Sequence, residues 1–318
     1  MEHATLVEKY TAAQQDWLDR MSTLDATSTQ WDIVLTFRDL LLSQTNPLAA
    51  AKRIAELILS HPNVMEAYDY TLGCFLEAVE FFPSNNISSL LAAFLATLAG
   101  LPDATNQREE PLVIISSKTT TIQPGDAIIV HWAGREEKLW HHLPRFSLWL
   151  RERMNGPEAY LSRGDSPETA KATWKNINTF VAILFRDHGT KFPELFGPLV
   201  TYAFATLADA LESSPRSRLG RNVPLHLPAA YQWILLAGVE VYNAVKERDN
   251  EEFWSARAGQ LWTREGVRDE VDEKRWCFWM YRFGELKADA RLDAAMNWEA
   301  AQAELRMENL AIGWNSES

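Results

Sequence analysis

The sequence is poor in cysteine. Only two cysteines, Cys74 and Cys277, occur among its 318 residues. Two thiols cannot build a disulfide framework, nor a thiolate zinc site by themselves. Residues 1–17 are polar and lack the apolar core of a secretory signal. We therefore expect an intracellular, cytoplasmic protein in which both thiols are reduced.

The sequence also lacks an excess of positive charge and long hydrophobic runs. Lysine and arginine number 31 against 43 acidic residues, so the net charge is −12. Nucleic-acid binding draws much of its affinity from neutralised phosphates, which an acidic protein supplies poorly. The apolar stretch at 87–100 is too short for a membrane span of about 20 residues. We expect no nucleic-acid partner and no membrane span.

The common catalytic motifs are absent as well. The sequence contains no GxGxxG, GxxxxGK[ST], HExxH or GxSxG. His141 and His142 are adjacent, so on a helix their side chains diverge by about 100°, a poor geometry for one metal. The acidic stretches 209–213 and 269–273 are weak matches to a magnesium–diphosphate site. The second is more simply an acidic first turn of a helix. We expect no metal and no cofactor.

Apolar residues recur at steps of three or four along most of the chain, which predicts helices. Residues 111–132 differ, being rich in valine, isoleucine and threonine with a turn signal at Pro124–Asp126. The sequence thus predicts an all-α fold, a single domain over 1–318 with ten to twelve helices. It further predicts a small β-hairpin-like insertion near 111–132 and an irregular loop at 213–228.

Tryptophan is abundant, with 13 residues, and the stretch 272–283 (DEKRWCFWMYRF) is the most aromatic. On a helix, Trp276, Trp279 and Phe283 share one face, and Tyr281 lies on a neighbouring face. Such a helix is buried on more than one side. Its rings either form a core layer or line an apolar ligand pocket. Either Arg275 or Arg282 is placed to contact an indole face.

Two further stretches combine polar and aromatic residues. Trp174 and Asn178 are four residues apart, on one helix face. A buried asparagine needs partners, so Asn178 either clamps a neighbouring loop or points into a cavity. In 131–146 (HWAGREEKLWHHLPRF), His131 is a natural acid or base near neutral pH. The alternative is a polar loop with incidental histidines.

Several stretches together resemble a known family. They are 174–180 (WKNINTF), 228–242 (PAAYQWILLAGVEVY), 259–283 and 139–146 (LWHHLPRF). The pattern resembles a large fungal family of mostly helical proteins catalogued as a domain of unknown function, from about residue 30 onward. The resemblance implies a fungal, intracellular, helical protein, and some members lie in natural-product pathways.

Our leading hypothesis is a cofactor-free cyclase or isomerase that acts on a small apolar organic ligand, a fungal natural-product intermediate, in an aromatic-lined pocket. Such an enzyme works by holding one reactive conformer and polarising a carbonyl. The candidate catalytic residues are Asn178, His131 and Tyr281. The candidate substrate-binding residues are Trp174, Phe180, Trp233, Trp276, Trp279, Phe283 and Arg275. The alternative is a non-enzymatic helical scaffold or protein-interaction module.

Overall fold

A computed structural model describes residues 15–21, 29–246, 256–263 and 269–315. The chain divides into two compact units, residues 1–153 and residues 154–318. The single-domain organisation stays a prediction. The all-α fold class with a small β insertion is confirmed, because helices dominate both units and strands occur only between residues 112 and 138 of the described chain.

The first unit is built around helices that begin at polar caps. The Asn46 side chain accepts from the backbone N–H of Ala49, and Asn63 caps the next helix in the same way. Phenylalanines from three helices meet in the core. The centre of the Phe37 ring lies 5.2 Å from that of Phe94 and 6.2 Å from that of Phe75. The helices are α1 Thr29–Leu41, α2 Pro47–Ser60, α3 Val64–Phe81, α4 Asn85–Ala99 and α5 Phe146–Arg153.

Two antiparallel hairpins form the β insertion. Strands β1 (Leu112–Ile115) and β2 (Thr119–Ile122) pair, as do β3 (Ile129–Trp132) and β4 (Arg135–Lys138). The predicted insertion near 111–132 is confirmed, but it extends six residues further because β4 belongs to it. The sequence of β4, REEK, has no apolar alternation to reveal a strand. Its pairing is set by the turn at Ala133 and Gly134, where both residues have positive φ.

The second unit is helical throughout its described secondary structure. Ser166 caps its first long helix by accepting from the N–H of Thr169, and Pro167 occupies the first turn. The elements are α6 Pro157–Ser162, α7 Pro167–His188, a 3₁₀ turn Gly197–Leu199, α8 Val200–Leu211, α9 Arg218–Arg221, α10 Val223–Lys246, α11 Gln260–Thr263, α12 Glu273–Leu286 and α13 Ala294–Asn315.

The prediction of an irregular loop over 213–228 is wrong in part. The short helix α9 occupies its middle, and α10 begins at Val223. The prolines suggested a loop, but Pro224 lies in the first turn of α10, where its missing N–H has no helical partner to lose. Pro228 lies inside the same helix.

Helix α10 is the centre of the second unit, since it packs against α7, α8 and α13. It bends at Ala237, whose φ of −129° is not helical. At the next position, Gly238 lets α13 approach, because a Cβ there would lie 3.4 Å from Leu310. Within the described residues, no helix is long and apolar enough to cross a membrane.

Candidate functional site

The predicted substrate-binding aromatic residues all lie in the second unit and are buried. Three of these rings pack against other aromatic rings. Between ring centres, Trp276 lies 4.9 Å from Tyr242, Trp279 lies 6.3 Å from Phe204, and Trp233 lies 6.5 Å from Phe185. These contacts favour the core interpretation. Their role in substrate binding stays a prediction. The buried set is Trp174, Phe180, Trp233, Trp276, Trp279 and Phe283.

Asn178 joins three helices. Its side-chain nitrogen donates to the Trp174 carbonyl at 2.8 Å, within α7. Its side-chain oxygen accepts from Thr206 Oγ1 of α8 at 2.9 Å and from Trp233 Nε1 of α10 at 2.8 Å. The side chain is fully buried. Asn178 therefore acts as a clamp, although its partners are helices rather than a loop.

Arg275 forms a buried ion pair with Glu212, the residue that follows α8. Arg275 Nε donates to Glu212 Oε1 at 2.6 Å, and Nη2 donates to Oε2 at 3.0 Å. Both side chains are fully buried. Trp279 Nε1 and the backbone N–H of Gly259 also donate to Glu212, each at 2.7 Å. A buried charge pair is tolerable only with such additional hydrogen bonds.

The remaining predicted catalytic residues lie elsewhere. His131 belongs to the first unit, on β3, and its Nε2 lies 3.9 Å from Glu136 Oε1. Tyr281 of α12 is 62% exposed. A hydrogen bond with Glu285 raises the pKa of its hydroxyl. Asn178, by contrast, is enclosed within the second unit, so Asn178 and Tyr281 do not share a surface.

A second polar cluster of the second unit combines an imidazole with two carboxyl groups. We call Glu158, Asp209, Asn222 and His226 the His226 cluster. His226 Nε2 lies 3.0 Å from Glu158 Oε1, and Asn222 Nδ2 donates to the same oxygen at 2.9 Å. The His226 side chain is only 1% exposed and that of Glu158 14%. Among the described residues, His226 Nδ1 has no hydrogen-bond partner.

The pKa values of the two carboxyl groups are shifted in opposite directions. Burial alone would raise the pKa of Glu158, but the hydrogen bond and charge of His226, with the Asn222 hydrogen bond, lower it to about 2. Burial raises the pKa of Asp209, and the charge of His226 opposes this while the carboxylates of Glu158 and Glu212 add to it. Shifted pairs of this kind are common at catalytic sites.

The local sequence explains how this cluster forms. Gly156 has a φ of +87°, and Pro157 starts α6 immediately after it, which brings Glu158 into the first helical turn. A Cβ at Gly156 would lie 3.2 Å from Glu158 Oε2 and 3.9 Å from His226 Cε1. The backbone thus lies close to both side chains. His226 is placed by the first turn of α10.

The geometry fixes which nitrogen of His226 is available. Glu158 is ionised at neutral pH and can only accept, so Nε2 carries the hydrogen that faces it. In the neutral imidazole, Nδ1 then has a free lone pair. A carboxylate behind one nitrogen orients the ring and stabilises the imidazolium that forms when the other nitrogen takes a proton. The cluster can therefore perform general acid–base chemistry.

Sequence reasoning missed the His226 cluster. The stretch 209–213, which contains Asp209, is only a weak match to a magnesium–diphosphate site, and no motif marks Glu158. The stretch PLHLP draws attention to His226, because two prolines flank the histidine. Its partner Glu158, however, lies 68 residues away in the sequence. Nothing in one sequence shows that these two residues meet.

Two open clefts occur in the first unit. One, of about 610 Å³, is lined in part by Leu59, Pro62 and Ile128. Its Arg108 donates to the carbonyls of Leu59 and His61 at the end of α2, so its guanidinium is engaged in structure. The other, of about 510 Å³, includes Trp31 and Arg38. Neither cleft includes a predicted site residue.

Metal-ligating side chains do not converge in the described part of the chain. No group of three or more histidine, cysteine, aspartate or glutamate residues there could hold a metal ion. The absence of a metal and of a cofactor stays a prediction. The chemistry available to the His226 cluster is proton transfer.

Comparison with known proteins identifies a family without an assigned activity. A family model described as "Protein of unknown function (DUF3632)" matches residues 73–283. No curated protein and no solved structure matched the chain. The matched residues include the whole His226 cluster and both members of the buried ion pair. Because the match covers more than half of its length, the chain belongs to the DUF3632 family of proteins of unknown function.

Proposed function

We propose that the protein is a cofactor-free isomerase or cyclase that moves a proton within a small apolar carbonyl compound. The observation that carries this proposal is the buried His226 imidazole, held by Glu158 at Nε2 and without a partner at Nδ1 among the described residues. Buried polar atoms without a partner are rare in folded proteins and call for an explanation.

The roles follow from the chemistry of each group. His226 Nδ1 takes a proton from a carbon next to the substrate carbonyl, and the Glu158 carboxylate stabilises the resulting imidazolium. Asp209 is the more readily protonated carboxyl group, since its pKa is raised by burial. It returns a proton at another position of the substrate, and His226 then reprotonates Asp209. The substrate is isomerised without a net gain or loss of protons.

This proposal differs from the sequence-based one in its catalytic residues. The Asn178 amide is already engaged in three hydrogen bonds, so it is not part of the proposed machinery. His131 and Tyr281 are not part of it either, since neither belongs to the His226 cluster. The fungal natural-product setting that the resemblance implies belongs to the proposal as the source of the substrate.

The test is solvent-deuterium incorporation. The full chain is incubated in D₂O with a small-molecule extract of the cells that make it, and mass spectrometry reports every compound that gains deuterium. We expect at least one compound to be labelled or isomerised by the wild type and not by His226→Gln. His188→Gln, at the end of α7, is the matched control and should behave like the wild type. Labelling that persists in a folded His226→Gln variant would refute the proposal.

One observation favours the alternative, an interaction module. Trp298, Leu305 and Ile312 are each more than half exposed on α13 and recur every seven residues. An apolar stripe with this spacing is typical of helix–helix association. If the interaction module is correct, Leu305→Asp should abolish binding of a protein partner, whereas His226→Gln should leave it unchanged.

A further inference from the structure

The first unit contains a separate cluster of buried polar atoms around Tyr68 and Asp69 of α3. Arg145, in the loop before α5, donates through Nη1 to Asp69 Oδ2. The guanidinium of Arg145 also lies 4.8 Å from the centre of the Trp132 ring. The Tyr68 ring lies 6.5 Å from that of Trp140. We call Tyr68, Asp69, Trp132, Trp140 and Arg145 the Tyr68 cluster.

Three polar atoms of this cluster have no hydrogen-bond partner within the described chain. They are the Tyr68 hydroxyl, Asp69 Oδ1 and Arg145 Nε. Arg145 Nε is bonded to the same carbon as Nη1, which donates to Asp69. Asp69 Oδ1 is bonded to the same carbon as Oδ2, which accepts that hydrogen bond. One free donor and one free acceptor therefore flank the same ion pair, and the charges of Asp69 and Arg145 both act on the hydroxyl of the fully buried Tyr68.

Backbone strain accompanies these free atoms. Leu143 and Arg145 have φ values of 44° and 66°. These angles lie in the left-handed region, which residues other than glycine rarely adopt. Strain of this kind is costly and clusters at functional sites. Here it positions the Arg145 side chain against Asp69 and Trp132.

The electrostatics keep the cluster close to neutral. Burial raises the pKa of the Tyr68 hydroxyl well above its ordinary value, and the charges of Asp69 and Glu137 add to this, so the phenol remains protonated. Burial also raises the pKa of Asp69, against the charge of Arg145 and the hydrogen bonds that the carboxyl group receives from Trp149 and Arg145. The cluster therefore offers one hydroxyl, one free acceptor and one free donor beside aromatic rings. The three unpartnered atoms are themselves buried, whereas the Asp69 and Arg145 side chains as a whole are 26% and 21% exposed, so the cluster lies close to the surface.

We propose that the Tyr68 cluster binds a small neutral molecule that carries a carboxamide, or a similar planar group with an acceptor beside a donor, on an apolar body. The acceptor takes the hydrogens of Arg145 Nε and the Tyr68 hydroxyl, and the donor binds Asp69 Oδ1. The apolar body packs on the tryptophan rings. This inference is independent of the proposed function, because none of its residues belongs to the His226 cluster.

The charges select against ionic ligands. A carboxylate would lie beside Asp69 and within the field of Glu137, which repel it. An ammonium group would leave Arg145 Nε unpaired and lie beside a guanidinium. A neutral carboxamide satisfies both free atoms of the ion pair. Leaving either free atom buried without a partner is unfavourable, because the atom gives up its hydrogen bonds to water.

The test uses three probes of similar size: benzamide, benzoate and benzylamine. Ligand-observed NMR on the full chain measures the dissociation constant of each. We expect benzamide to bind most tightly, and Tyr68→Phe, which removes only the hydroxyl, to weaken it at least about fivefold. Tyr281→Phe, at an exposed tyrosine, is the control and should not change the constant.

Three results would overturn this inference. The first is no binding of millimolar benzamide. The second is benzamide binding that Tyr68→Phe leaves unchanged. The third is tighter binding of benzoate or benzylamine than of benzamide, which would assign the cluster to an anion or a cation. Circular dichroism of each variant confirms that the fold is retained.

Discussion

At the scale of single residues, the buried polar groups of the second unit differ in how completely they are hydrogen-bonded. Glu212 and Arg275 satisfy each other, and Trp279 and Gly259 complete the carboxylate's hydrogen bonds. His226 is satisfied on one nitrogen only. Complete pairing indicates a structural role, whereas incomplete pairing next to shifted carboxyl groups indicates chemistry. This contrast is why we assign function to His226 rather than to Arg275.

Breaking the buried ion pair should strongly destabilise the fold. Glu212→Gln leaves the Arg275 charge buried without a counter-charge, and we expect the free energy of unfolding to fall by about 3–5 kcal/mol. Glu56→Gln is the matched control, because Glu56 and its partner Arg53 are exposed, and it should change stability by less than about 1 kcal/mol. Urea unfolding measures both. Equal effects of the two substitutions would contradict the structural role.

Glu158 should make stability depend on acid pH. Its pKa of about 2 in the folded protein lies below the ordinary value of 4.5. The stability that ionised Glu158 contributes is therefore fully present above about pH 5 and is lost as the pH falls from there to about 2. Between pH 7 and pH 3, the wild type should lose more stability than Glu158→Gln. Unfolding free energies of both proteins at both pH values measure the difference. Equal losses of stability in the wild type and in Glu158→Gln would rule out the lowered pKa.

At the scale of elements, the sequence predicted helices well and their connections poorly. Asn46–Pro47 and Ser166–Pro167 mark helix starts through local hydrogen bonds that the residue types alone predict. The start of α10 at Val223 and the strand β4 were missed, because tertiary packing decides how a proline-rich or a charged stretch folds. The sequence leaves open whether Trp276 and Trp279 form a core layer or line a pocket, since periodicity shows a shared face but not what covers it.

Asn178 should couple α7, α8 and α10. Asn178→Leu leaves Thr206 Oγ1 and Trp233 Nε1 buried without their acceptor, and we expect a loss of about 2–4 kcal/mol. Thr206→Val should cost less, since one hydrogen bond is removed together with its donor. A double-mutant cycle by chemical unfolding should give a coupling energy of at least about 0.5 kcal/mol. Strict additivity would show that the two side chains do not interact.

At the scale of the whole molecule, the chain is acidic, with a net charge of −12, and consists of two compact units. Each unit has its own set of buried aromatic residues. Apolar periodicity predicted the helical class correctly, because it recurs along most of the chain. The candidate site could not be predicted from composition, since Glu158 and His226 are far apart in sequence.

Calorimetry tests the sequence-based prediction of a single domain. A single domain should give one unfolding transition in which the calorimetric and van't Hoff enthalpies agree. The full chain is used, at neutral pH and with both thiols reduced. Two resolved transitions would contradict the single-domain prediction and would assign separate cooperative folding to residues 1–153 and 154–318.

The positions of the hydrogens on His226 decide whether this residue can act as the base. The proposed proton transfer requires a neutral imidazole near pH 8, with its hydrogen on Nε2 facing Glu158 and a free lone pair on Nδ1. Nitrogen-15 NMR of histidine-labelled protein, assigned with His226→Gln, reports both nitrogens. Protonated Nε2 with unprotonated Nδ1 would support His226 as the base. An imidazolium at that pH, or a hydrogen on Nδ1 alone, would contradict the proposed mechanism.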